Sequence, residues 1–136
     1  MIAASDLQTA FPEIDPGVEP LGARVLIQLR TVRSKTSAGI VLVEDTKQFN
    51  KAASQLGKVV ALGPIAYCNR NTGKRWPEGV WASVGDFVRV PKYGGDRFER
   101  VIDHDTGETA MFCVFQDHEI ISKVKPEVFT EIDEIL

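Results

Sequence analysis

Apolar residues in this chain gather in short runs rather than along helical faces. Five or six runs rich in Val, Ile, Leu and Phe recur between Gly, Pro, Asn and Asp: Arg24–Leu29, Gly57–Leu62, Asp86–Val90, Phe98–Ile102, Met111–Phe115 and Glu119–Val124. None reaches helical length, and runs of this size between turn formers predict strands of a small barrel or sandwich, an all-β domain. Two hairpins are legible. Asp103-His104-Asp105-Thr106-Gly107-Glu108 separates two apolar runs, and Asn69-Arg70-Asn71-Thr72-Gly73-Lys74 separates Tyr67-Cys68 from Arg75-Trp76. The termini differ. Ser5-Asp6-Leu7-Gln8 has the form of a capping box opening a short helix, which Pro12 and Asp15-Pro16-Gly17 end. Pro126 suits a first helical turn, and Val128, Phe129, Ile132, Ile135 and Leu136 make one apolar helical face. Both ends read as appendages to a β core.

At 136 residues the chain is sized for one domain, and its 43% hydrophobic and 26% charged residues are ordinary for a globular protein. The longest uncharged, mostly apolar run, Val59–Cys68, is interrupted by Gly63 and Pro64 and is too short for a membrane helix. The net charge of -3 is unevenly placed. Acids crowd both ends, whereas residues 24–124 carry fifteen bases against eleven acids, a weakly basic body. The first cation is Arg24, so neither a secretory n-region nor an Arg-rich transit peptide is legible, and a cytoplasmic location is the expectation. Cys68 and Cys113 fit no zinc or redox spacing and read as small buried hydrophobes.

Candidate chemistry is thin. Asp103-His104-Asp105 and Asp117-His118-Glu119 offer ligand types that zinc uses, but without recognised spacing, so no metal site is expected. No motif supports a Ser-His-Asp or Cys-His nucleophile. Gly73-Lys74-Arg75 fails as a phosphate loop, because Cys68 stands where the first glycine belongs and Arg75 where Ser or Thr belongs. The rival binding reading is an OB-like single-stranded nucleic-acid module. It would stack bases on Tyr67, Trp76, Trp81, Tyr93 or Phe98 and track phosphates with Arg70, Lys74, Arg75, Lys92 and Arg97. A body this weakly basic argues against it. An alcohol-dehydrogenase-type catalytic domain would need a dinucleotide domain and Cys/His zinc spacing that the sequence lacks.

One stretch does not fit the core. Arg30–Leu56 is 27 residues dominated by Ser, Thr, Lys, Gln, Asn and Ala, with a single apolar island, Gly39-Ile40-Val41-Leu42-Val43. Pattern alone favours another core strand; the functional alternative is a long loop carrying a hydrophobic anchor for a partner's groove.

Five motifs occur in order: Glu19-Pro20-Leu21-Gly22-Ala23-Arg24-Val25-Leu26-Ile27, Ser37-Ala38-Gly39-Ile40-Val41-Leu42, Gly57-Lys58-Val59-Val60-Ala61-Leu62-Gly63, Val84-Gly85-Asp86-Phe87-Val88 and Lys92-Tyr93-Gly94-Gly95. In order and spacing the chain resembles the GroES-type co-chaperonins over residues 19–124. The resemblance implies a non-enzymatic GroES-like β-barrel with a mobile loop over 30–56 and a roof hairpin over 65–83. It implies a homo-oligomer, a heptamer in this family, whose dome caps a GroEL-type chaperonin ring and encloses unfolded substrate proteins. No cofactor is implied for this chain, since ATP is bound by the chaperonin partner, and neither nucleic acid nor membrane is an expected partner. Chaperonin docking falls by matching position on Gly39, Ile40, Val41 and Leu42, and the roof on Tyr67, Asn71, Gly73, Trp76 and Trp81. By the same analogy the first and last strands pair between subunits. The chain departs from the family at Ala23, where Asp is usual, in its single loop glycine, in the longer return from Leu42 to Gly57 and in the enlarged roof. Residues 1–18 and 125–136 are extensions. Such divergence suits a specialised or virus-encoded version acting in a host cytoplasm.

Overall fold

The computed structural model describes residues 11–30 and 55–127. The helix expected from Ser5–Gln8, the island Gly39–Val43 and the apolar face Val128–Leu136 lie outside the described residues. Six strands form one antiparallel sheet: β1 (Arg24–Leu29), β2 (Leu56–Leu62), β3 (Phe87–Arg89), β4 (Asp96–Asp103), β5 (Glu108–Gln116) and β6 (Ser122–Lys123), in spatial order β4-β5-β1-β2-β3-β6. Among the described residues no ladder joins β4 to β6, so the barrel-like sheet is open between them.

Alternation fixes the faces. Val25, Ile27 and Leu29 of β1 meet Val59, Val88, Val90, Cys113 and Phe115 in the main core, which Tyr67 and Ala82 close from outside the strands. Leu26, Ala110 and Phe112 point the other way into a second, smaller cluster. β1 is therefore buried on both faces from Val25 to Leu29, as its nearly unbroken apolar run requires.

Residues 11–17 supply the cover for that second face. Phe11 is 4% exposed and sets its ring 5.3 Å from that of Phe87, while Ile14 packs on the Leu26–Ala110–Phe112 cluster. Pro12 O accepts from Gln28 Nε2 at 2.8 Å and Asp15 O from Arg100 Nε at 3.3 Å. The Asp15-Pro16-Gly17 turn forms as expected, with Gly17 N–H donating to Asp15 Oδ1 at 2.9 Å. These residues are a strap across the sheet, not a loose appendage.

The expected strand Glu119–Val124 is shortened at its start. Its first residue, Glu119, ends the 3-10 turn Asp117–Glu119, and the remainder meets β3 through the short ladder at Ser122–Lys123, flanked by Ile121 N–H on Arg89 O at 3.0 Å and Val124 N–H on Phe87 O at 2.8 Å. The turn wins because Glu119 Oε1 takes the Gln116 N–H at 2.8 Å and Asp117 N–H is held by Ala23 O at 3.0 Å. β4 runs longer than its apolar run suggests because its added residues, Asp96, Arg97 and Asp103, are polar, as suits an edge strand. The Asp103–Glu108 segment does turn β4 into β5.

Candidate functional site

The ends of the long segment between β1 and β2 are tied together. Arg30 N–H donates to Leu56 O at 2.9 Å, Val90 N–H donates to Gln55 O at 2.9 Å, and Gln55 Nε2 reaches Val90 O at 3.3 Å. Arg30 itself is 2% exposed. Residues 31–54 thus leave and re-enter the sheet at neighbouring points, and β1 pairs directly with β2 from Val25–Leu62 to Leu29–Gly57. The expected docking residues Gly39, Ile40, Val41 and Leu42 lie outside the described residues. Their place in the chain, between two hydrogen-bonded roots, is what the structure gives.

The segment expected to form the roof is only lightly paired. Cys68 and Arg75 make an isolated bridge, and Trp76 N–H donates to Tyr67 O at 3.0 Å. Asn71 and Gly73 sit in the exposed turn. Asn69 Oδ1 accepts from Asn71 N–H at 2.8 Å, and Gly73, at φ 73°, donates its N–H to Asn69 O at 2.7 Å. A side chain with a Cβ adopts that left-handed backbone only with strain. Trp76 and Trp81 pack on each other and on Tyr67, with ring centroids 5.2–5.8 Å apart. Tyr67 belongs to the core, being fully buried.

Tyr67 is also the one described non-glycine residue with positive φ, 60°. Its backbone N–H is held by Asp117 Oδ2 at 2.8 Å, and Asp117 is 3% exposed. A buried carboxylate accepting a backbone N–H and lying 3.5 Å from His118 Nδ1 therefore anchors the start of the roof segment to the end of β5. Sequence reasoning singled out Asp117 only within a metal-ligand cluster. Its partner is 50 residues away and gives no local signal.

Burial, reinforced by the Asp117 carboxylate, pushes the Tyr67 phenol from 10.0 up to about 12. Burial likewise raises the Cys113 thiol from 9.0 to about 12, with Arg97 opposing and Asp96 and Glu119 adding to it. As pH rises above 9 the unfolded chain gives up these protons first, so the folded state binds more protons and stability falls with pH, by about 1.4 kcal/mol per unit per group. Denaturant titrations between pH 8 and 12 should show this decline, flatter above pH 10 in Tyr67→Phe. Because Tyr67 Oη is buried without a hydrogen-bond partner among the described residues, the same variant should be as stable as the parent or more so at pH 7.

Several residues of the nucleic-acid alternative are engaged in packing or backbone contacts. Phe98 stacks on Phe112 with centroids 5.6 Å apart, and Arg97 folds back onto Pro91 O, Lys92 O and Gly94 O, over the Phe115 ring. With Tyr67, Trp76 and Trp81 packed together, Tyr93, 68% exposed, stands apart from them as a surface ring. In the two acidic clusters Asp103 Oδ1 accepts from Asp105 N–H, and Asp117 and Glu119 serve backbone donors. No group of three or more potential metal ligands gathers among the described residues. Cys68 and Cys113 are both free.

Sheet edges bear on assembly. Within the chain β1 already has β5 on one side and β2 on the other, so among the described strands it offers no free edge. β4 and β6 are the terminal strands of the order. Beside β4 runs an apolar groove lined by Val18, Leu21, Phe98 and Val114.

An antiparallel barrel-like sheet with one long insertion tied at its two roots defines a small all-β domain. Comparison with known proteins says which. The family model described as Chaperonin 10 Kd subunit matches residues 17–124, and the chain belongs to this co-chaperonin family. The mitochondrial 10 kDa heat shock protein of Saccharomyces cerevisiae is 32% identical over 108 residues, 79% of this chain and 88% of that protein. The co-chaperonin GroES of Lacticaseibacillus zeae is 41% identical over 78 residues, 57% of this chain and 75% of that protein. The corresponding mitochondrial protein of Schizosaccharomyces pombe is 32% identical over 108 residues, covering 79% and 89%. No helix among the described residues is long and apolar enough to cross a membrane.

Proposed function

We propose that this co-chaperonin assembles into a ring-shaped dome, a heptamer by family likeness, that caps a GroEL-type chaperonin and encloses unfolded substrate proteins while the partner hydrolyses ATP. The supporting observation is the tying of Arg30 to Leu56 and of Gln55 to Val90, which holds together the two roots between which residues 31–54 run. Gly39, Ile40, Val41 and Leu42 are the docking residues within it. The chain acts in the cytoplasm, that of a host if it is virus-encoded, and itself performs no catalysis. Electron microscopy of the purified protein mixed with a chaperonin ring and ATP should show a dome on the ring end, and its subunit count gives the ring size. A bare ring at saturating protein would overturn the reading.

The segment Tyr67–Ser83 shapes the top of the dome and takes no part in docking. The turn Asn69–Lys74 is exposed, and the hydrogen bonds found within it are its own. Replacing it with a two-residue turn should leave chaperonin affinity within about twofold, as expected for a surface loop. Complete loss of binding by a still-assembled oligomer contradicts this assignment.

A further inference from the structure

The strap lies largely outside the family match, which begins at residue 17, yet its first residues contact the sheet where the docking segment is rooted. Phe87, Lys58, Gln28, Phe112 and Phe98 form one continuous row across β3, β2, β1, β5 and β4. Phe11 covers Phe87, and Pro12 O takes the amide of Gln28. Gln28 is 4% exposed and stands two residues before Arg30, the residue that follows β1. Phe87 and Arg89 flank Val88 on β3, and Arg89 pairs with Leu56, the returning root. The start of the strap thus braces the strand that leads into the segment and, through β3, the strand that receives it.

We propose that Phe11 and Pro12 are positioning residues for chaperonin docking: by clamping Gln28 and Phe87 they hold the roots Arg30 and Leu56 in place on the sheet. The proposal rests on the co-chaperonin reading. A root held in one orientation has less freedom to lose when the segment binds, so bracing raises affinity without touching the partner.

The test uses the full chain carrying Phe11→Ser, with a deletion of residues 1–15 as the stronger variant. Two quantities are read well below the melting temperature: affinity for a chaperonin ring with ATP, and amide exchange at Arg30, Leu56 and Val90 against exchange at Val101 and Thr109, at the far end of the β4–β5 hairpin. Expected for Phe11→Ser are an intact oligomer, an affinity lower by about tenfold, and faster exchange confined to the roots. General loosening of the fold would speed both sets of amides equally, and that result overturns the proposal. So does unchanged affinity with unchanged root exchange. If the deletion fails to assemble, Phe11→Ser alone decides. A parent protein that binds no ring would defeat the co-chaperonin reading, and root exchange would still report whether the strap braces the segment.

Discussion

Ile40→Ser in every subunit should abolish capping while leaving the sheet folded and the oligomer intact. Burying Ile40, Val41 and Leu42 in a partner's groove contributes roughly 1.5 to 3 kcal/mol each. Fixing backbone costs about 1 to 2 kcal/mol per residue, so ordering all of residues 31–54 would outweigh the gain several-fold. On the proposed docking-loop reading, only a few residues around Ile40 become fixed on binding and one segment alone should bind weakly. Affinity then comes from several segments engaging together, each later attachment being effectively intramolecular, so a loss of about 2 kcal/mol per subunit multiplies around the ring. Affinity measurements with the variant, and with a peptide spanning Arg33–Lys47, check this. The peptide should bind far more weakly than the assembled protein. If Ile40→Ser unfolds the chain, Gly39–Val43 is a core strand; if it folds and still caps, the anchor lies elsewhere.

The largest effect on stability is expected at Asp117. Asp117→Ala leaves the Tyr67 N–H buried without its acceptor, at a residue already held in a left-handed backbone conformation by that bond. Losing a charge-assisted hydrogen bond and stranding a buried donor costs about 2 to 3 kcal/mol, which for a domain of this size lowers Tm by about 10 °C. Thermal melts should show the drop, and Asp117→Asn, which keeps a carbonyl acceptor, should lose less. An unchanged Tm for Asp117→Ala would mean that other contacts hold Tyr67 in place.

How legible this was depended on whether the cause of each feature was local. β1 occupies the bounds read from its apolar run, Arg24–Leu29, because a central strand is buried on both faces and so mostly apolar, with Gln28 its one buried polar side chain. The five motifs likewise gave the family, and the four among the described residues mark turn or core positions with their own chemistry. The turn before β3 is one: Gly85 takes φ 97°, and Asp86 Oδ2 accepts the Ser83 N–H. What escaped was non-local. The strap carries Phe11 and Ile14 among prolines and acids, too sparse for a strand pattern, and only the two-faced apolarity of β1 hinted that something must cover Leu26. Asp117 looked like a ligand because carboxylates beside histidine are ligand types; its actual partner became visible only when the fold brought Tyr67 to it. The hairpin strands expected around Asn69–Lys74 reduce to one bridge, because Tyr67 and Trp76 turn into the aromatic cluster instead of extending a ladder.

The position of β1 between β2 and β5 also sets a timetable for synthesis. Arg24 pairs with Gln116, so the first described strand has a neighbour that leaves the ribosome about 90 residues after it. At the ordinary elongation rate of about 5 to 20 residues per second, Leu26 and its neighbours wait on the order of 5 to 20 s before β5 can reach them. The strap is already synthesised when β1 emerges, and residues 11–15 can shield Leu26 while the opposite edge stays open. Until β5 arrives, this folding factor is itself a nascent chain with an unpaired apolar strand, and long-range closure makes its own folding slow relative to helical proteins of its length.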